Sequence, residues 1–334
     1  MSAEPVNNTN EVERLPPGDE VRIGARASWR GWFALQDLVP IAYLVIYRLM
    51  VWASPPGPLN DVSAYQIHLS LAVVVGGCMV CRGATIFPAK LRGLLYRVML
   101  GYAAVTNYLI LRDLLPLVSP HSVDALLVDI DTAMFGVVPA LWLERLNHRP
   151  IVEWFSFFYF SYFWICATYL VVVLGTVRDN RAKTEFTLGC FIVLSVGQFL
   201  YSQVPGFGPI THMADQFAGP VNGGRFWGYV WDTVQAGSAM KDIFPSIHTA
   251  MPTWITFFAL RQARLDPRWK WPARITVFAA ANIVFSTVFL RWHYVIDVFA
   301  GLALAAAVAK LSPKLTAWEA SWRQKGGLKG VWGF

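Results

Sequence analysis

Apolar runs about as long as a bilayer is thick recur along this chain and decide what it can fold into. They occupy roughly 33–52, 65–81, 94–111, 151–176, 186–204, 247–262, 275–291 and 293–310. A helix needs about 20 mostly apolar residues to cross a ~30 Å hydrocarbon core. Of the 334 residues, 55% are hydrophobic and only 15% charged, against about 25% charged in an average soluble domain. The expectation is an all-α polytopic membrane bundle with about eight transmembrane helices. The many Trp, Tyr and Phe residues suit this class, because aromatic rings gather at membrane interfaces.

The net charge of +7 does not point to nucleic acid, because the basic residues sit in short loops between apolar runs. With both termini on the cytoplasmic side, 21 of the 28 Lys and Arg residues face the cytoplasm. The seven on the other side are Arg48, Arg112, Arg145, Arg149, Arg225, Lys241 and Arg291. A bias that alternates loop by loop sets orientation in a cell membrane. Residues 1–30 are polar and read as a disordered cytoplasmic tail, not a secretory signal. Residues 31–311 read as one transmembrane catalytic domain, and 312–334 as a basic cytoplasmic tail at the membrane surface. No internal repeat is evident. Cys78 and Cys81 form a CxxC without a second pair, and with Cys166 and Cys190 they read as packing residues.

The last two runs merge over 275–310 with no Gly or Pro between them until Gly301. A single helix of that length would measure about 54 Å at 1.5 Å per residue, too long for one crossing, so a tight turn is required near Leu290–Trp292. Two longer segments lie on the outer side. Residues 112–150 read as an interfacial or re-entrant helical segment whose Asp124, Asp129 and Asp131 form a solvated face. Residues 205–246, punctuated by Gly and Pro, read as an ordered loop folded over a site rather than a helix.

His248 in FPSIHTA and the pair His293/Asp297 in LRWHYVIDVFAG are the candidate catalytic groups. Ionisable residues at membrane depth are costly and mark functional sites. Ser246 suits a helix N-cap, and the unpaired N–H groups behind it suit a phosphate. His293 and Asp297 at i, i+4 share a helix face, so the carboxylate can fix the imidazole tautomer and leave the other nitrogen as nucleophile. Attack on phosphorus gives a phosphohistidine, and His248 serves as general acid and then base. Arg291, Ser246, Lys241 and Arg112 are candidates to hold the phosphoryl oxygens; Arg112, beside Asp113, reads equally as a paired interfacial charge. His68, His121, His148 and His212 have no partner at motif spacing and are assigned no role.

FPSIH followed by WHYVID resembles the PSGH and SRxxxxxHxxxD motifs of the type 2 phosphatidic acid phosphatase superfamily. The chain is most similar to the aureobasidin-sensitive inositol phosphorylceramide synthase, or inositolphosphotransferase, branch. That branch carries HYxxD, as at His293–Asp297, and tolerates a bulky residue at the Gly place, as with Ile247. DIDTAMFGVVPALWL and VPGFGP look like its upstream signatures, so the resemblance spans roughly 105–310. It implies a six-helix catalytic core with the first two spans as extras. It also implies His293 as nucleophile, Asp297 as its orienter and His248 as acid/base, with no metal and no cofactor. Ser286 stands seven residues before His293, but Thr287 occupies the Arg place, where Arg291 can supply the charge. The phosphatases' KxxxxxxRP motif is not found, and Arg112 stands in for it.

The leading expectation is a membrane phosphotransferase that moves a phospho-head group, such as inositol phosphate, from a phospholipid or other lipid phosphate to an alcohol acceptor. The alternative is a lipid phosphate or polyprenyl diphosphate phosphatase using the same triad with water as acceptor. A lipid transporter or channel predicts charges near the membrane midplane in several spans, whereas the ionisable groups lie mainly at span ends. Two His and one carboxylate are also chemically able to bind zinc or iron. The site is expected on the exoplasmic side, and the oligomeric state is left open.

Overall fold

The computed structural model describes residues 31–83 and 86–334, so the expected 1–30 tail lies outside the described residues. Among these the chain is helical, with no strand. Thirteen α-helices follow in order. They are α1 (Leu35–Ala53), α2 (Pro58–Cys78), α3 (Ala89–Leu109), α4 (Leu111–Val118), α5 (Asp124–Phe135), α6 (Pro139–Leu143) and α7 (Arg149–Thr176), then α8 (Asn180–Gln203), α9 (Pro209–His212), α10 (Arg225–Gly237), α11 (Ile247–Leu265), α12 (Lys270–Phe289) and α13 (Val295–Lys325). Each of the eight apolar runs lies on a helix of its own, namely α1, α2, α3, α7, α8, α11, α12 and α13.

Six helices are long and apolar enough to cross a membrane, or up to eight if each bent pair is one span. The bent pairs are α3 with α4 (42°) and α5 with the stretch Pro139–Leu146 (67°). In the hydrocarbon core a helix satisfies its own backbone polar groups, and what remains to be decided is which face meets protein and which meets lipid. α8 is interior, with 67% of its apolar window buried, against 28% for α2 and α7. α11 is not among the apolar six. It carries His248, Thr249, Thr253, Thr256 and Arg261 and packs against α7, α8, α12 and α13, so protein takes the place of lipid around it. Trp254 and Phe258 of α11 are fully buried with Phe186 of α8 in the largest apolar cluster.

α1, α2 and α3 flank this core. They are joined at one end by Arg82, whose guanidinium bonds to Asp37 and to the hydroxyl of Tyr96. α13 runs unbroken through residue 311 to Lys325, so the segment 312–334 begins as helix. Its end then turns back, with Trp332 and Phe334 against the Tyr96 ring at 5.3 Å each. Arg323 fixes that return through the carbonyls of Phe33 and Lys329.

The 205–246 segment departs from the loop expectation. It contains α10, a helix of 13 residues. Gly224 and Gly228 do not prevent it because Glu153 of α7 accepts the N–H groups of Gly224, Phe226 and Trp227 at 2.9–3.0 Å. That carboxylate, about 70 residues upstream, caps the helix start, and nothing within the segment announces it.

α11 and α13 approach until Gly301 faces the carbonyl of Ser246. A Cβ there would stand 2.6 Å from that oxygen and 3.1 Å from the Thr249 side chain. Gly301→Ala is therefore expected to destabilise the protein by about 1–3 kcal/mol, as overpacking does, read as a lower unfolding midpoint in detergent.

Candidate active site

α11 starts at Ser246, whose hydroxyl oxygen accepts the Thr249 N–H at 3.2 Å. The Ser246 N–H donates to the backbone carbonyl of Asp297 at 3.0 Å. This bond, with the close approach at Gly301, joins the segment carrying His248 to the segment carrying His293. Lys241 and Asp242 fix the lead-in. The Lys241 ammonium donates to the carbonyls of Ser119, Pro120 and His121 at 2.8–2.9 Å. Asp242 accepts from the Tyr108 hydroxyl at 2.9 Å and from Ser238.

The required tight turn between α12 and α13 is present. Arg291 adopts φ 68, a left-handed conformation that L-residues other than Gly, Asn and Asp seldom take. The surroundings hold it there. The N–H groups of Trp292 and His293 both donate to the Thr287 carbonyl, at 3.0 and 3.1 Å, and the Arg291 carbonyl accepts from Ile210 at 2.7 Å. Gly208, itself at φ +76, lies so close that a Cβ would come within 2.4 Å of the Trp292 carbonyl. The turn signal was weak in the sequence because no glycine makes the turn; the packing does.

His293 precedes α13, so its pair with Asp297 forms across the helix start and not along one helix face. Asp297 Oδ2 lies 3.3 Å from His293 Nδ1 and accepts the Tyr294 N–H at 2.9 Å. The same oxygen thus caps the helix and orients the imidazole. Both residues are buried. His248 lies between aromatic rings, stacked on Tyr159 (4.3 Å, 15°) with Tyr162 at 4.2 Å. Trp292 continues the stack beyond Tyr159 at 6.2 Å. Four buried polar atoms on these segments have no hydrogen-bond partner: His248 Nε2, Thr249 Oγ1, Asp297 Oδ1 and Trp292 Nε1.

Asp124 and Asp131 correct the expectation of a solvated face, because both are fully buried. Asp124 accepts the N–H groups of Phe207 (2.7 Å) and Gly208 (2.9 Å) and the Tyr294 hydroxyl (3.0 Å). Asp131 accepts those of Val295 (2.8 Å) and Ile296 (3.0 Å), the first turn of α13. Only Asp129 is exposed. Asp124 and Asp131 were legible in one respect: they are carboxylates in an apolar stretch, the argument that singled out the histidines. Tyr159 and Tyr162 carried no sequence signal, and Tyr294 stands in the HYxxD pattern without a role assigned to it.

The candidate cations are engaged elsewhere. Arg291 donates to the Gly219 carbonyl (2.8 Å) and to Glu144 (3.1 Å), over the Phe217 ring. Burial pushes its pKa down from the ordinary value, and Glu144 opposes that. Burial likewise lowers Lys241, with Asp124 opposing. Arg112 is exposed and bonds to the Ala236 carbonyl at the end of α10 (2.8 Å). Ser246 and His293 thus both bond to Asp297, His248 stands two residues after Ser246, and Arg291 lies in the adjoining turn. Among the described residues no three His, Cys, Asp or Glu side chains are grouped as metal ligands.

A family model described as the PAP2 superfamily matches residues 125–311, more than half of the chain. The chain belongs to the PAP2 superfamily. Its members act on lipid phosphates in membranes as phosphatases or phosphotransferases. Several apolar helices of this chain fit a multi-pass membrane protein, as that chemistry needs. No curated protein and no solved structure matches the chain. The PAP2 match begins one residue into α5 and ends within α13, so it takes in Asp131 but not Asp124 and leaves α1 to α4 outside.

Asp131→Ala would leave two buried N–H groups without an acceptor, at about 1–3 kcal/mol each. A loss of several kcal/mol in denaturant unfolding is expected, with activity falling in parallel, whereas exposed Asp129→Ala should change neither.

Proposed function

We propose that the protein is a phosphotransferase that moves a phospho-head group, such as inositol phosphate, from a lipid to an alcohol acceptor. The reading rests above all on the His293–Asp297 pair lying beside a His248 whose Nε2 is enclosed and unpartnered. Buried polar atoms without partners are rare and call for an explanation. A bound phosphoryl group would supply acceptors for His248 and Trp292.

The steps follow from the positions. Asp297 keeps the proton of His293 on Nδ1, so Nε2 carries the lone pair. Nε2 attacks phosphorus, the bond to the leaving oxygen breaks, and His248 in its protonated form gives that oxygen a proton. His248 then takes the proton of the incoming hydroxyl, whose oxygen displaces Nε2 from phosphorus. The N–H groups of the α11 start suit the transferring oxygens. Ser246 contributes by shaping that helix start, and Arg291 by fixing the turn and adding positive charge beside it. Charge bias supports a centre on the exoplasmic side of the cell membrane, with both termini cytoplasmic.

An aromatic enclosure around His248 favours an organic alcohol over bulk water as the acceptor. Likeness to the inositolphosphotransferase branch points to a cyclitol phosphate as the moved group. The phosphatase reading differs only in the acceptor. In purified protein, head-group transfer from labelled phosphatidylinositol should depend on an added lipid alcohol. Equal release of phosphate or inositol phosphate without that alcohol would sink the transferase reading and leave the phosphatase.

His293→Ala is expected to abolish turnover. Asp297→Asn should lower kcat by about 10³-fold or more, as loss of the orienting carboxylate does in comparable triads, with little change in KM. Acid-labile label on His293, trapped by rapid quench, checks the covalent step.

A further inference from the structure

The wedge between α12 and α13 is a second feature at this site. The two helices leave the turn that carries His293 and pack on α11, yet touch one another only sparingly. Between them lies a groove of about 410 Å³. Thr256 and Ala280 form its buried floor, and Ala281, Phe285 and Leu302 its exposed rim, with Thr253 between. No charged side chain lines it.

The groove begins one to two helical turns from the residues of the candidate site. Phe285 lies four residues before the end of α12, about 6 Å at the rise of a helix. Thr253 lies five residues below His248, and Leu302 five below Asp297, about 7–8 Å in each case. The other end, at Val277, is about 18 Å from the end of α12 by the same measure. The helices that carry His248 and Asp297, and the two that flank the turn with His293, are therefore the ones that form the groove. It is apolar, and its rim is exposed at Phe285 and Leu302.

We propose that this groove seats a hydrocarbon chain of the lipid-phosphate substrate and so aims its phosphorus at His293. The inference rests on the reading of the centre as a lipid phosphotransferase or phosphatase. A chain gains little hydrophobic free energy by leaving bilayer for groove, since lipid tails are equally apolar. The benefit is alignment: one fixed chain restricts the angle at which the head group meets the imidazole, and small misplacements of reacting atoms cost up to about 10²-fold in rate. Ala280 and Ala281 matter here as small side chains that leave room between α12 and α13.

The test uses full-length protein in detergent with dioleoyl and dihexanoyl phosphatidylinositol, and the matching pair of phosphatidates, with a lipid alcohol present. The readout is the ratio of kcat/KM on the long-chain lipid to that on its short-chain partner. Ala281→Phe, which fills the groove from α12, and Leu302→Trp, which fills it from α13, are each expected to lower that ratio about tenfold. Ile275→Phe, on the lipid-exposed surface of α12 outside the groove, should leave the ratio at the wild-type value. An unchanged ratio in both filling variants would overturn the proposal, and so would an equal loss on long and short chains. Wild-type protein inactive on all four lipids would instead overturn the functional reading beneath it.

Discussion

Three buried carboxylates hold the turn that carries His293 in place. The start of α13 presents unpaired N–H groups, as any helix start does, and in an apolar interior each must find an acceptor. Asp131 takes Val295 and Ile296, and Asp297 takes Tyr294. Asp124 gathers the Phe207–Gly208 backbone and the Tyr294 hydroxyl at the same place. His293 is fixed between these anchors and the Thr287 carbonyl. Its own hydrogen bond to Asp297 is the last in a series that serves the backbone first.

The same economy explains why the basic candidates are not all phosphate ligands. Lys241 neutralises three carbonyls where α4 ends and the lead-in to His248 passes. Arg291 secures a left-handed turn by reaching Gly219 and Glu144. A membrane protein has few spare charges, and each one buried must be paired.

Much of the candidate site was legible in the sequence because ionisable residues in apolar runs stand out. His248, His293 and Asp297 are singled out in that way, and the Ser246 cap follows from local helix rules; the structure contains that cap and the His293–Asp297 contact. The face of aspartates was misjudged for a physical reason. Asp131 serves N–H groups 164 residues later in the chain, at Val295, and no local pattern distinguishes such a carboxylate from a solvated one. α10 was missed likewise, since its cap is Glu153 on another helix.

The sequence alone determined the number and identity of the long helices, because the bilayer's thickness and the demand for internal backbone bonding act on each segment by itself. It also determined that a turn must interrupt 275–310, since one helix of that length exceeds a single crossing. Only the tertiary structure decided how that turn is made, which carboxylates are buried, which cations are already spent, and that α12 and α13 part to leave a groove. Those outcomes depend on contacts between segments far apart in the chain, and such contacts leave no periodic trace in either segment.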